Sequence, residues 1–205
     1  MSEDRPEVHV DSAAELRAWL ESNHDASDGV WLVTHKKTSV SGTYVSWTEI
    51  VDELIAFGWV DSVQKRLDED RSKIQITPRK AKSKWSRVNK ERVERLIAEG
   101  RMEAPGMAMV ELAKETGTWT ALDAVERLEE PDDLRAALDA VPEARRHYDA
   151  FPPSSRRAIL EWVTSAKRPA TREGRIAETV TLAAEDLRAS DWPRPKPGDG
   201  KKKAS

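Results

Sequence analysis

Apolar positions in the first hundred residues switch between a spacing of two and a spacing of three to four, and beyond residue 105 only the wider spacing persists. Alternation by two places side chains on opposite faces of a strand, whereas the wider spacing makes a helical stripe. The pattern predicts an α+β protein: a small, mainly antiparallel sheet with packed helices in the N-terminal half, and a helical C-terminal half. Val8-His9-Val10 reads as a strand, and Ser12 with Glu15 has capping-box spacing for a helix over 13–22 that turns Leu16, Trp19 and Leu20 inward. Val30 to Lys37 is a strand with apolar residues on both faces, so both faces should be covered. Ser46 and Glu49 repeat the capping-box spacing, and the helix behind them carries Ile50, Val51, Leu54 and Ile55 on a stripe that should stop at Gly58. Trp59 to Leu67 and Arg71 to Thr77 form a hairpin across Asp68-Glu69-Asp70, ended by Pro78, which lacks a backbone donor. A helix from Ser83 or Ser86 to Glu99 follows, with Val93, Leu96 and Ile97 buried.

Downstream, helices near 106–115, 119–129, 132–140, 142–150, 154–167 and 170–188 are set off by Gly117, Pro131, Pro142, Pro152-Pro153 and Pro169. No repeat of solenoid spacing is present. The expected organisation is a sheet-bearing portion over 7–104 and a helical portion over 105–190 of the same compact unit. Residues 193–205, with three Pro, two Gly and five Lys or Arg, are expected to be a disordered basic tail.

Composition narrows the chemistry. Charged residues make up 35% of the 205 positions and apolar residues 38%, so long charged helices must cover an economical core. There are eight Trp against two Phe and two Tyr, and Trp suits both a core and a stacking surface. The absence of Cys removes disulfides, thiolate catalysis and thiolate metal sites. A charged start without an apolar run and no stretch of roughly 20 apolar residues predict a cytoplasmic protein with no transmembrane segment. The net charge of −3 conceals two blocks. Residues 71–95 hold ten Lys or Arg against two Glu, a net of +8, and residues 110–150 hold eleven acids against five bases, a net of −6. Such blocks either attract charged partners or attract each other within the fold.

Most of the unusual residues gather between 57 and 89. Trp59 and Asp61 stand two apart on a strand and leave the same face. Arg79, Lys80, Trp85, Ser86 and Asn89 precede or open a helix, whose free N–H groups favour an anion. A solvated basic face is the plainer account of the same residues. Further on, Lys167 and Arg168 join two helices, with Trp162 before them and Arg172 after, and would either serve a helix C-terminus or add positive walls to the same cleft. No P-loop, helix-turn-helix or zinc finger is present, and the four His show no ligand spacing, so no metal or cofactor is expected.

Phe57-Gly58-Trp59-Val60-Asp61 and Thr77-Pro78-Arg79 through Asn89 resemble segments of the YdeI/OmpD-associated family, also labelled bacteriocin-protection proteins. Trp31 to Lys37 and Val45-Ser46-Trp47 look like its N-terminal portion. Glu161-Trp162-Val163, Ser165 through Arg172 and Arg175-Ile176 look like its C-terminal helical module, about 140–188. The resemblance spans about residues 8 to 188. It departs at Val60 and Ser62, where relatives often carry Ile and Gly, and at Leu54-Ile55-Ala56, where Ala-Leu-Cys is common. It implies a role in tolerance of bacteriocins or cationic antimicrobial peptides, without an agreed catalytic mechanism. Three readings stand together: a cytoplasmic binding or stress-tolerance protein with a small anionic ligand or a protein partner, a nucleic-acid or phosphate-ligand binder through residues 71–95, and a small-molecule enzyme using Asp61 with Arg79 or Lys167. The first is preferred, and it places the site at 59–61, 79–89 and 162–172.

Overall fold

The structure is a computed structural model that describes residues 5–191 together with 196 and 197. The chain divides into two compact units, one up to Ala121 and one from Leu122. Apart from Lys196 and Pro197, the tail expected from residue 193 lies outside the described residues.

The first unit contains β1 (Glu7–His9), α1 (Ala13–Asn23), β2 (Val30–His35), α2 (Trp47–Ala56), β3 (Trp59–Arg66), β4 (Arg71–Pro78), α3 (Arg87–Ala98) and α4 (Ala104–Glu115). The strands form one mixed sheet in the order β1-β2-β4-β3, in which β1 runs parallel to β2 and the other pairs are antiparallel. Local sequence sets most boundaries. Ser12 Oγ accepts from Glu15 N at 3.1 Å, and Ser46 with Glu49 forms a reciprocal box that starts α2. Hydrogen bonds from Ser46 hold the Glu49 carboxyl below its usual range. Gly58 ends that helix at φ +71, in the left-handed region. Asp68 turns the hairpin by accepting from the amides of Asp70 and Arg71 at 3.0 and 2.7 Å.

One face of the sheet, through Val30, Leu32, Ile74, Ile76 and Trp59, packs on Leu16 and Leu20 of α1 and Ile50 and Leu54 of α2. On the opposite face Trp31 and Val33 are also buried, and the Lys65 and Lys73 ammonium groups lie 5.3 and 5.1 Å from the Trp31 ring centre. Their alkyl stems cover the ring while the charges stay near water. A second cluster forms where Val51 and Ile55 of α2 meet Val93 and Leu96 of α3, Val110 and Ala113 of α4, and Trp85. That packing carries α4 into the first unit, past the boundary expected near residue 104. The helix expected near 106–115 begins two residues earlier, at Ala104, with Pro105 in its first turn. Gly106 is needed there, because a Cβ would stand 2.1 Å from the Ala56 carbonyl oxygen.

The second unit contains α5 (Asp123–Glu126), α6 (Asp132–Asp139), α7 (Pro142–Ala150), α8 (Pro153–Thr164) and α9 (Pro169–Ala184) around Leu134, Leu138, Tyr148, Leu160, Val163 and Leu182. The segment expected to be helical over 119–129 makes only the single turn of α5, because Leu128 takes φ +56. Asp186 at φ +56 follows the end of α9 in the same way, short of the expected 188.

Candidate anion-binding site

The segment between β4 and α3 is held at both ends. Arg79 N donates to the Gly58 carbonyl at 2.9 Å, and Ser83 N closes a turn on Lys80 O at 2.9 Å. Ser86 caps α3 by accepting from Asn89 N at 3.4 Å. The amides of Arg87 and Val88 then have no acceptor within the helix, which leaves partial positive charge there. Trp85 is buried and tilted against Trp119, with ring centres 5.2 Å apart.

Arg79 is the unusual member. Its guanidinium carbon lies 3.7 Å from the Trp85 ring centre, and the residue is only 7% exposed. Its Nε is buried without a hydrogen-bond partner, and no ion pair to a carboxylate engages the terminal nitrogens among the described residues. Burial pushes its pKa down to about 10, with the Asp61 charge acting in the opposite direction. Arg79, Asn89 and Asp61 line a cavity of about 10 Å³, room for one water-sized group. Asp61 does not reach Arg79. One of its oxygens accepts instead from Trp47 Nε1 at 3.2 Å, and Trp47 is half exposed with Arg92 over its ring.

Elsewhere in the basic segment, charge is balanced within the first unit. Arg71 pairs with Asp68, Lys73 with Glu7 and Arg87 with Glu91, while Arg92 and Arg95 share Asp52. The acidic block pairs within the second unit, as in Glu130 with Arg145 and Arg156 and Asp133 with Arg172. Arg79 and the exposed Lys80, Lys82 and Lys84 have no ion pair among the described residues.

The other expected site residues fall differently. Trp59 also lines the cavity beside Arg79 but otherwise sits in the core, donating from Nε1 to the His24 carbonyl and meeting Trp19 edge-on. Trp162, Lys167, Arg168 and Arg172 belong to the second unit. There Arg175 lies over Trp162, Arg172 makes two hydrogen bonds to Asp133, and Lys167 and Arg168 are exposed. A wider cleft of about 440 Å³ opens beside His9, Asp11, His35 and Asp70, but its polar groups engage one another, as in His35 with Ser39 and Ser41 with Asp70.

Sequence reasoning missed Asp52 and Glu53, adjacent buried carboxylates on α2. Asp52 receives Arg92 and Arg95, both at 2.7 Å, and Glu53 receives Arg17 at 2.9 Å and Arg101 at 2.6 Å. Their only signal is position beside the apolar stripe of α2. It also missed Trp47, whose indole orients Asp61.

These features define a class: an α+β chain with a sheet unit that stacks a buried arginine on Trp85 without an ion pair, followed by a helical module. The helical module carries the match to a described family: residues 127–186 match bacteriocin-protection, YdeI or OmpD-associated proteins. Residues 8–109 match a domain of unknown function (DUF8412), so the family match itself is carried by the C-terminal module. No curated protein and no solved structure matches the chain. Among the described residues no helix is long and apolar enough to cross a membrane.

Proposed function

We propose that this chain is a cytoplasmic, non-enzymatic binding protein whose sheet unit captures an anionic group at Arg79. The observation that carries the reading is the buried guanidinium stacked on Trp85 without an acceptor. A buried charge is ordinarily paired, because leaving it unpaired costs several kcal/mol. A site kept open in this way, beside the first turn of a helix, fits an anion that supplies the missing acceptor. The description of the matched family supports placing this binding step in protection against bacteriocins. Asp61 lines the same cavity; with Trp47 on one oxygen and no hydrogen bond to Arg79, it has no partner for acid–base work.

Calorimetric titration of the full chain with phosphate and acetate tests this reading. At least one should bind and raise the melting temperature, and Arg79→Met should remove the effect. Binding that survives Arg79→Met would place the anion elsewhere and end the proposal.

A further inference from the structure

Resting on the reading of Arg79 as an anion-binding residue, we infer that the group it takes is a terminal phosphate, carried by a phosphomonoester. Three observations narrow the anion. The cavity beside Arg79 and Asn89 has room for about one oxygen, so the ligand inserts a tip, not a planar ring. Asn89, in the cavity wall, belongs to the first turn of α3, whose Arg87 and Val88 amides have no acceptor within the helix and are donors for further oxygens. Lys80, Lys82 and Lys84 then add positive charge on the segment that leads into that turn, with no carboxylate paired to them. Against these stands Asp61 alone in the cavity wall. A carboxylate with one negative charge leaves most of this field unmet. A phosphomonoester, with a charge of about −1.5 to −2 at neutral pH and three acceptor oxygens, matches it. Nucleic acid fits less well, because an internal phosphodiester brings one negative charge and two free oxygens where a phosphomonoester brings close to two charges and three oxygens.

Asp61 gives this inference a sign. Its carboxylate, fixed by Trp47, repels a dianion at the cavity, so Asp61→Asn should tighten phosphate binding several-fold. If the ligand instead offers a donor to Asp61, the same substitution weakens binding.

The test is calorimetry on the full chain with ribose 5-phosphate, ribose, inorganic phosphate, acetate, and a short single-stranded DNA without terminal phosphates, at low and physiological salt. Ribose 5-phosphate should bind about tenfold tighter than acetate, the scale of one additional charge-assisted hydrogen bond, and ribose should not bind. Arg79→Met should abolish binding. Arg79→Lys, which keeps charge but loses the planar fork, should weaken it about tenfold. Replacing Lys80, Lys82 and Lys84 by Gln should reduce affinity and flatten its salt dependence. Equal binding of acetate would overturn the phosphate assignment while leaving anion capture intact. Binding of no anion would remove both. DNA without terminal phosphates binding as tightly as ribose 5-phosphate, or weaker binding in Asp61→Asn, would also overturn the assignment.

Discussion

Replacing Arg79 with Met should stabilise the unliganded protein. The perturbation removes a charge and keeps a long apolar stem, with a sulfur able to contact the Trp85 ring. Its magnitude follows from two opposed effects at a residue that is 7% exposed. Burial moves the guanidinium from its ordinary pKa to about 10, which corresponds to a charge penalty on the order of 3 kcal/mol. Stacking on Trp85 at 3.7 Å returns roughly 1–2 kcal/mol. The variant should therefore gain about 1–2 kcal/mol, or roughly 2–8 °C in melting temperature for a chain of this size. Six of the eight Trp lie in the first unit, so tryptophan fluorescence during urea unfolding reports chiefly on it. The sign with pH is also fixed. Because the folded-state value is lowered, the unfolded chain binds this proton more tightly, and the penalty is fully present below pH 10 and is relieved as pH rises through about 10. The gap between wild type and Arg79→Met should thus be flat near neutrality and narrow in strong alkali. A loss of more than about 1 kcal/mol in Arg79→Met would refute the reasoning, since it would mark Arg79 as a net structural contributor.

Three further outcomes follow from the packing. Asp52→Asn leaves Arg92 and Arg95 facing a neutral amide and should cost ~3 kcal/mol, the lower part of the range for breaking a buried pair because Arg95 can return partly to water; an unchanged urea midpoint would show that the pair contributes nothing. Gly106→Ala drives a Cβ into the backbone of Ala56 and Ile55 and should cost about 2 kcal/mol or more, read as a lower melting temperature; a neutral result would mean that α4 can back away from α2 freely. Burial and the charge of Glu130 push the Tyr148 hydroxyl up to about 12, so in a Tyr44→Phe background its ultraviolet titration should come about two pH units above that of free tyrosine. The raised value favours the folded state below pH 10, and this contribution is lost as pH rises from 10 toward 12, so an ordinary titration in the folded protein would count against the burial.

Elements of this fold governed by near neighbours in sequence were legible. Ser12 with Glu15, Ser46 with Glu49, and Gly58 at φ +71 each act within four residues, so a local pattern suffices to place α1 and α2. The double-faced strand Val30–His35 was equally readable from its unbroken apolar run. What escaped depends on distant packing. A helix near residue 106 was legible, but only the approach of α4 to the Ala56 carbonyl explains why the residue there carries no Cβ. Leu128 and Asp186 adopt left-handed backbone without being Gly or Asn, so neither α5 nor α9 announced its end.

The candidate site shows the same division more sharply. Ten bases in residues 71–95 are visible in the sequence, yet such a count cannot separate a charged cover from a binding surface. The separation comes from which carboxylates the fold delivers: Glu7 reaches Lys73 from another strand, and Asp52 reaches Arg92 and Arg95 from a neighbouring helix. Those pairings turn part of the basic block into structure. Arg79 is the member that the fold buries and yet leaves without an acceptor, and Lys80, Lys82 and Lys84 flank it unpaired. Because the chain pairs its partly buried Arg17 and Arg92 with Glu53 and Asp52 but supplies no such partner to the more deeply buried Arg79, the unmet charge there is best explained by an acceptor that comes from outside the chain.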